Sequence, residues 1–288
     1  MGCVMPSSVP VLHLNNNFHD MMRHKLVILL TVTVLSAVSC DRSFVFMQLT
    51  DTQIGFRDKT EGYVWSDSLM QAAVAAVNRV HPACVVITGD LVNKTSDSLQ
   101  VAIYKRNLAG IDSSIPVYAL PGNHDMRPWT EENHAAFLAF NGYDRFSFKM
   151  KGCAFIGFDS CCIKDTIETV EKEQLAWLEG ELKKARKCRQ IYLFTHCPVI
   201  RESIDEEEDY FNFPIPKRRE YIDLFKKYGV TALFAGHTHT YYHTSFEGIE
   251  FITAGPVGAP LHGGFSGVNV VKVSGKGFSN EYVPAGDA

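Results

Sequence analysis

Val117-Tyr118-Ala119-Leu120-Pro121-Gly122-Asn123-His124-Asp125 is a short apolar run that breaks at a glycine and ends on three polar residues able to ligate or move protons. A β-prone run that stops on polar groups in this way is how an α/β fold places a site at the C-terminal end of a strand. The same sign recurs on both sides of it. Upstream, Phe44 to Thr50 runs into Asp51-Thr52-Gln53, and Val85-Val86-Ile87 precedes Gly89-Asp90. Downstream, Ala154 to Phe158 precedes Asp159, Ile191 to Phe194 precedes Thr195-His196, and Thr231 to Phe234 precedes Gly236-His237-Thr238-His239. Two more β-rich runs, near Phe251-Ile252 and from Val268 to Val273, close the chain.

Helical patterns occupy the gaps. Ser66 or Asp67 is placed to cap a helix with Leu69, Ala73, Ala76, Val77 and Val80 on one face. Glu171 to Lys187 carries Leu175, Leu178 and Leu182 at helical spacing, with basic residues gathered toward its C-terminus, where they complement the helix dipole. Lys217 to Tyr228 is a third amphipathic helix, opened by Pro216 and ended by Gly229. Strands alternating with helices predict an α/β fold. No repeat, low-complexity tract or linker divides it, so residues 41–288 are expected to form one catalytic domain.

Composition sets the limits on function. The chain has 288 residues, is 46% hydrophobic and 21% charged, and carries a formal net charge of −4. Such a chain can pack a core, and its acidic balance lacks the basic footprint of a nucleic-acid partner. Residues 1–40 read as a leader. Arg23-His24-Lys25 precedes an uncharged run, Leu26 to Ser39, of 14 residues. That length is short of the roughly 20 residues a membrane-spanning helix needs and suits a signal-peptide core. The run ends in Ser36-Ala37-Val38-Ser39-Cys40, which resembles a bacterial lipoprotein cleavage site with Cys40 as the lipidated residue. The expectation is an exported protein of the bacterial periplasm or outer surface, attached to the membrane through Cys40. Cys84, Cys153, Cys161, Cys162, Cys188 and Cys197 show no paired metal-binding spacing and are expected to be free, mostly buried thiols.

Five short pieces carry the chemistry: Asp51-Thr52-Gln53, Gly89-Asp90, Gly122-Asn123-His124-Asp125, Thr195-His196 and Gly236-His237-Thr238-His239. Mixed carboxylate, amide and imidazole donors of this kind suit borderline divalent metals. Their order and spacing resemble the calcineurin-like metallophosphoesterases, whose usual pattern is D-x-H, G-D, G-N-H-[DE], a lone His and G-H-x-H. The resemblance runs from about Phe44 to the end. It is nearest to the calcineurin-like phosphoesterase domain-containing (complete-S-transactivated-protein type) subgroup, which shares the Gln of the opening motif and an acidic-aromatic stretch like Glu202 to Asn212.

The resemblance implies a four-layer αββα sandwich of two mixed sheets and two divalent cations (manganese, iron or zinc). It implies Asp51, Gln53, Asp90 and His239 around the first ion, with Asp90, Asn123, His196 and His237 around the second. Asp90 then bridges the pair, a shared hydroxide serves as nucleophile, and His124 protonates the leaving oxygen. Gln53 departs from the usual His. As a ligand, a neutral amide oxygen is harder and weaker, which favours an oxygen-tolerant ion such as Mn²⁺; the other reading of Gln53 is that it supports the ligands by hydrogen bonding without touching the metal. The implied activity is phosphomonoester hydrolysis of a phosphorylated small molecule, lipid or protein. A phosphodiesterase acting on nucleotides or lipid headgroups would use the same metals, and an inactive metal-binding protein would have no use for His124.

Around this set, His243 and His262 read as solvated or hydrogen-bonded. Arg201 is a candidate contact for substrate phosphate. The acidic run Glu202 to Asp209, with Tyr210, Phe211 and Phe213, reads either as a solvated loop or as a lid beside the site.

Overall fold

The computed structural model describes residues 43–288 with the exception of His262. The expected leader, Cys40 and His262 lie outside the described residues.

The apolar runs become strands β1 (Phe44–Leu49), β2 (Val85–Ile87), β3 (Val117–Ala119), β4 (Phe146–Met150), β5 (Cys153–Gly157), β6 (Gln190–Phe194), β7 (Ala232–Ala235), β8 (Tyr242–Phe246), β9 (Ile249–Thr253), β10 (Gly267–Ser274) and β11 (Gly277–Pro284). They form two mixed sheets. The five-stranded sheet has the order β11-β10-β1-β2-β3 and the six-stranded sheet β4-β5-β6-β7-β9-β8. The strands that precede the motifs pair in parallel, β1 with β2 and β2 with β3, and β5 with β6 and β6 with β7, so their C-terminal ends emerge on one edge of each sheet. Antiparallel strands β10, β11, β4 and β8 flank these parallel cores.

The sheets face each other across an aromatic layer. Phe46 of β1 meets Phe155, Tyr192 and Phe234 of the other sheet at centroid distances of 5.2, 5.4 and 5.5 Å. Edge-to-face contacts such as Phe46–Phe155 and Phe46–Phe234 add to the burial of their area. Buried Gln48 ties the layers by donating to Ala235 O of the other sheet at 2.8 Å, and accepts from Asn269 Nδ2 of the neighbouring strand β10 at 3.0 Å. Outside the five-stranded sheet lie the helices Val64–Val80 and Ser98–Ala109, and outside the six-stranded sheet lie Glu168–Ala185 and Ile215–Tyr228, each over its own apolar cluster. This is the four-layer αββα arrangement.

Two local expectations are corrected. The first helix begins at Val64, after Tyr63 in the left-handed region, so neither Ser66 nor Asp67 is its cap. Asp58 takes that part from outside the helix, accepting from Ser66 N at 2.7 Å and Ser66 Oγ at 2.8 Å. The buried face of this helix includes Met70 and Val74, while Leu69 is half-buried. The six cysteines among the described residues are free, and all but Cys188 are buried, as expected.

Candidate active site

Five motif pieces that lie far apart in the chain meet at one edge of the two sheets. Asp90, His196 and His237 bring ligand atoms within 4.8 Å of one another, and so do Asp51, Asp90 and His239. Asp90 belongs to both groups. All of these side chains are buried, together with Gln53 and Asn123.

The backbone is bent to achieve this. Asp51, Gln53, Asp90, His237 and His239 all have positive φ, from 32° to 73°. Non-glycine residues rarely adopt that region, and such strain persists where surrounding structure enforces it, commonly at functional sites. Close approach requires glycine at two points. A Cβ on Gly122 would overlap Asp90 Oδ1, and one on Gly236 would overlap Thr50 Oγ1.

Hydrogen bonds aim the donors inward. His196 Nδ1 lies 2.8 Å from Thr88 O and His239 Nδ1 lies 2.6 Å from Ala259 O, so each Nδ1 carries the proton and each Nε2 turns to the cluster. His237 is reversed. Its Nε2 bonds Tyr210 O at 3.3 Å, which leaves Nδ1 as the available atom. Asp51 Oδ2 accepts from Thr50 Oγ1 and from His237 N, at 2.8 and 2.9 Å. Among the described residues its Oδ1 has no hydrogen bond, His239 Nε2 standing 3.4 Å away, and neither has Gln53 Oε1. Buried carboxylate and amide oxygens cost about 1–3 kcal/mol each when left unpaired. Two such atoms on residues at one cluster of imidazoles and carboxylates, with Gln53 joined to it through Nε2 at 2.7 Å from Asp90 Oδ2, fit a cation-binding role.

The electrostatics agree. Burial works against the charge on Asp90, but the imidazoles of His196, His124 and His237 outweigh it and hold the carboxyl below its ordinary range. Asp51 is likewise lowered, burial being overcome chiefly by His239. Burial would depress His196, and Asp90 instead lifts it well above its usual value. His237, buried and facing His196, falls to about 3. A cation competes with protons for such nitrogens, so metal loading should be favoured as pH rises.

Asp125 was not assigned a role from sequence. Its buried carboxylate accepts from Leu91 N at 3.0 Å and Gly122 N at 2.9 Å, locking the turn that carries Asp90 to the turn that carries Asn123 and His124. Burial, then the charge of Asp90, raises its pKa to about 7. Its signal in the sequence is the acidic last position of Gly122-Asn123-His124-Asp125, which becomes the third residue of the helical turn Asn123–Met126.

Tyr210 and Phe211 do stand at the site, their rings 4.9 and 5.3 Å from that of His237. Phe213 does not. It is fully buried against Tyr221, where it anchors the loop rather than covering the site. Arg201 is committed to the acidic loop, pairing with Asp209 at 2.9 Å and lying over the Phe211 ring. His243 is exposed and pairs with Glu250 at 2.8 Å, apart from the cluster.

Residues 44–241 match the family model of the calcineurin-like phosphoesterases. The chain belongs to that family. It is 30% identical to the serine/threonine-protein phosphatase CPPED1 of Bos taurus over 259 residues, 83% of each chain. It is 31% identical to the Danio rerio protein of the same name over 263 residues, 83% of this chain and 84% of that one. These relatives place it beside the subgroup expected from the Gln53 motif. Among solved structures it shares its fold with the purple acid phosphatase PPD1 of yellow lupin (Lupinus luteus), at a TM-score of 0.66 and 17% identity. That match covers 85% of this chain and 52% of the lupin chain, so this protein spans about half the lupin protein's length. Family membership and the shared-carboxylate cluster make it a hydrolase of phosphoric esters with a candidate dinuclear metal centre.

Proposed function

We propose that the protein is a phosphomonoesterase in which Asp51, Gln53, Asp90 and His239 hold one divalent cation and Asp90, Asn123, His196 and His237 a second. The observation that carries this reading is the pair of buried clusters sharing Asp90, beside which Asp51 Oδ1 and Gln53 Oε1 are buried without a hydrogen bond among the described residues. Cations there would neutralise phosphate oxygens and make a water acidic enough to attack phosphorus near neutral pH.

The chain's own groups do the rest. Asp90 is fixed by His124 N at 2.8 Å and by Gln53 Nε2 at 2.7 Å, one bond to each carboxylate oxygen. Asn123 gives its Nδ2 to Tyr210 Oη at 3.0 Å, which presents Oδ1 to the cluster. His124 is oriented by a 3.3 Å contact from Nδ1 to Asn93 O, leaving Nε2 to pass a proton to the departing alcohol. Gln53 in place of an imidazole supports an oxygen-tolerant ion such as Mn²⁺ in the first position, with iron or zinc suited to the more nitrogen-rich second. The relatives' printed name supports phosphorylated serine or threonine hydroxyls, or small alcohols like them, as substrates.

The test is hydrolysis of para-nitrophenyl phosphate by the full chain, stripped with chelator and reloaded in turn with Mn²⁺, Zn²⁺, Fe²⁺ or Mg²⁺. Turnover should vanish on stripping, return with a preferred ion, and exceed turnover of the bis ester. Faster cleavage of the bis ester would replace this reading by a phosphodiesterase. Inactivity on both esters with every ion would overturn it.

A further inference from the structure

Two cavities meet at His124. The smaller, about 180 Å³, lies over the ligand cluster between Phe56 on one side and Tyr210 and Phe211 on the other. The larger, about 560 Å³, shares Asn123, His124 and Tyr210 with it and extends away from the cluster. If His124 protonates the departing oxygen, the larger cavity lies on the leaving-group side. Its volume falls within the roughly 300–1,000 Å³ of small-molecule sites and far exceeds what a phosphate alone needs.

Its wall carries two cations, Lys94 and Arg127, against one carboxylate, Asp165, in an acidic protein. Arg127 is held by Asp165, with Nε 2.5 Å from Oδ1, and lies over the Tyr210 ring at 5.9 Å. Asp165 gives its other oxygen to Trp129 N at 2.6 Å, so both of its oxygens are committed and it orients the guanidinium. Among the described residues only Nε of that guanidinium is hydrogen-bonded, which leaves its paired Nη groups for a ligand. Lys94 brings a second charge to the cavity and is exposed. The carboxylate that senses it, Asp97, is already spent on Tyr63 Oη and on capping the helix Ser98–Ala109. Thr95 and Ser96 add hydroxyls beside these cations.

We propose that this cavity binds the alcohol half of the substrate and selects one bearing a second anionic group, a carboxylate or a further phosphate, met by Arg127 and Lys94. A planar guanidinium held from behind by a carboxylate presents two parallel N–H donors, the geometry that a carboxylate or phosphate accepts best. The selection rests on the phosphomonoesterase reading for its direction, since that reading sets which side of His124 the alcohol occupies.

The test uses matched pairs on the metal-loaded full chain. Phenyl phosphate is compared with 4-carboxyphenyl phosphate, and a phosphoserine peptide flanked by glutamines with one flanked by glutamates. The carboxylated member of a pair should show kcat/KM about tenfold higher, mainly through KM, at low ionic strength. Arg127→Gln should remove most of that preference and Lys94→Gln a smaller part. Preference in the aryl pair points to a small-molecule source for the anion, and preference in the peptide pair to a protein source. No preference in either pair, or one that survives both substitutions, overturns the subsite. Equal losses on all four substrates also overturn it, because they would mean general attraction for phosphate. If nothing turns over with any ion, the phosphomonoesterase reading fails. Calorimetric binding of phenylphosphonate against 4-carboxyphenylphosphonate then still decides the subsite.

Discussion

Asp90→Asn keeps the size of one side chain and removes the charge that both ligand clusters share. Elemental analysis of the purified variant should find both metals lost, and a metal-loaded, active Asp90→Asn protein would refute the shared carboxylate. His124→Ala separates chemistry from binding. General-acid catalysis is worth about 10²–10⁴-fold, so kcat should fall by that order while metal content stays at the wild-type level. Loss of metal in step with activity would instead make His124 part of the metal site. At this scale the sequence was most legible, because a metal site demands particular donor atoms and each stands at the end of a strand. What escaped notice were groups that act on the donors. Asp125 clamps two turns through backbone N–H groups, and Tyr210 Oη orients Asn123 from 87 residues away. Only the bond from Gly122 N to Asp125 is local; those from Leu91 N and to Tyr210 Oη span 34 and 87 residues.

For the acidic-aromatic loop, composition leaves a solvated loop and a lid beside the site equally open, and internal hydrogen bonds decide between them. Its glutamates suggest solvation, but Glu206 turns inward and accepts from Arg201 N, Glu202 N and Asn212 Nδ2. Arg218 of the helix Ile215–Tyr228 is fully buried and donates to Phe213 O at 2.9 Å, Ile204 O at 3.2 Å, Glu206 O at 2.5 Å and Glu207 O at 3.3 Å. The loop is therefore a pinned wall that holds Tyr210 and Phe211 against His237. Removing the guanidinium with Arg218→Met leaves several carbonyls short of donors, at about 1–3 kcal/mol for each that stays buried. Hydrogen exchange should then speed up across residues 202–213 while β5, β6 and β7 remain protected, and kcat/KM should drop, with partial recovery in Arg218→Lys. Uniform exchange throughout the molecule would show that Arg218 supports the fold as a whole and not this loop.

At the scale of the whole molecule, the alternation of strand and helix was enough for the α/β class, and the four layers followed from family resemblance. Strands β4, β8 and β11 carry no comparable signal in the sequence, each lying at a sheet edge with a half-exposed face. Their polar alternation lacks the continuous apolar run that marked the parallel strands buried on both faces. The helices Ser98–Ala109 and Glu131–Asn141 were also missed, the second burying only Phe137 fully. The buried polar groups that sit between such layers make stability depend on pH, and Asp159 gives that dependence a sign. Burial, reinforced by Asp144, raises its carboxyl from the ordinary 3.8 to about 6 despite the bond from Cys161 N. The folded state thus holds this proton more tightly than the unfolded chain. The stabilisation is complete below pH 3.8 and is lost as pH rises through about 6. A shift of this size corresponds to a change on the order of 3 kcal/mol. Asp159→Asn removes the titration and keeps an oxygen able to accept from Cys161 N. Denaturant unfolding of both proteins, each stripped of metal, should therefore show the stability difference moving toward the variant by roughly that amount between pH 4 and pH 7. A difference that stays constant with pH would mean that Asp159 ionises alike in both states, and that its hydrogen bonds already compensate for burial.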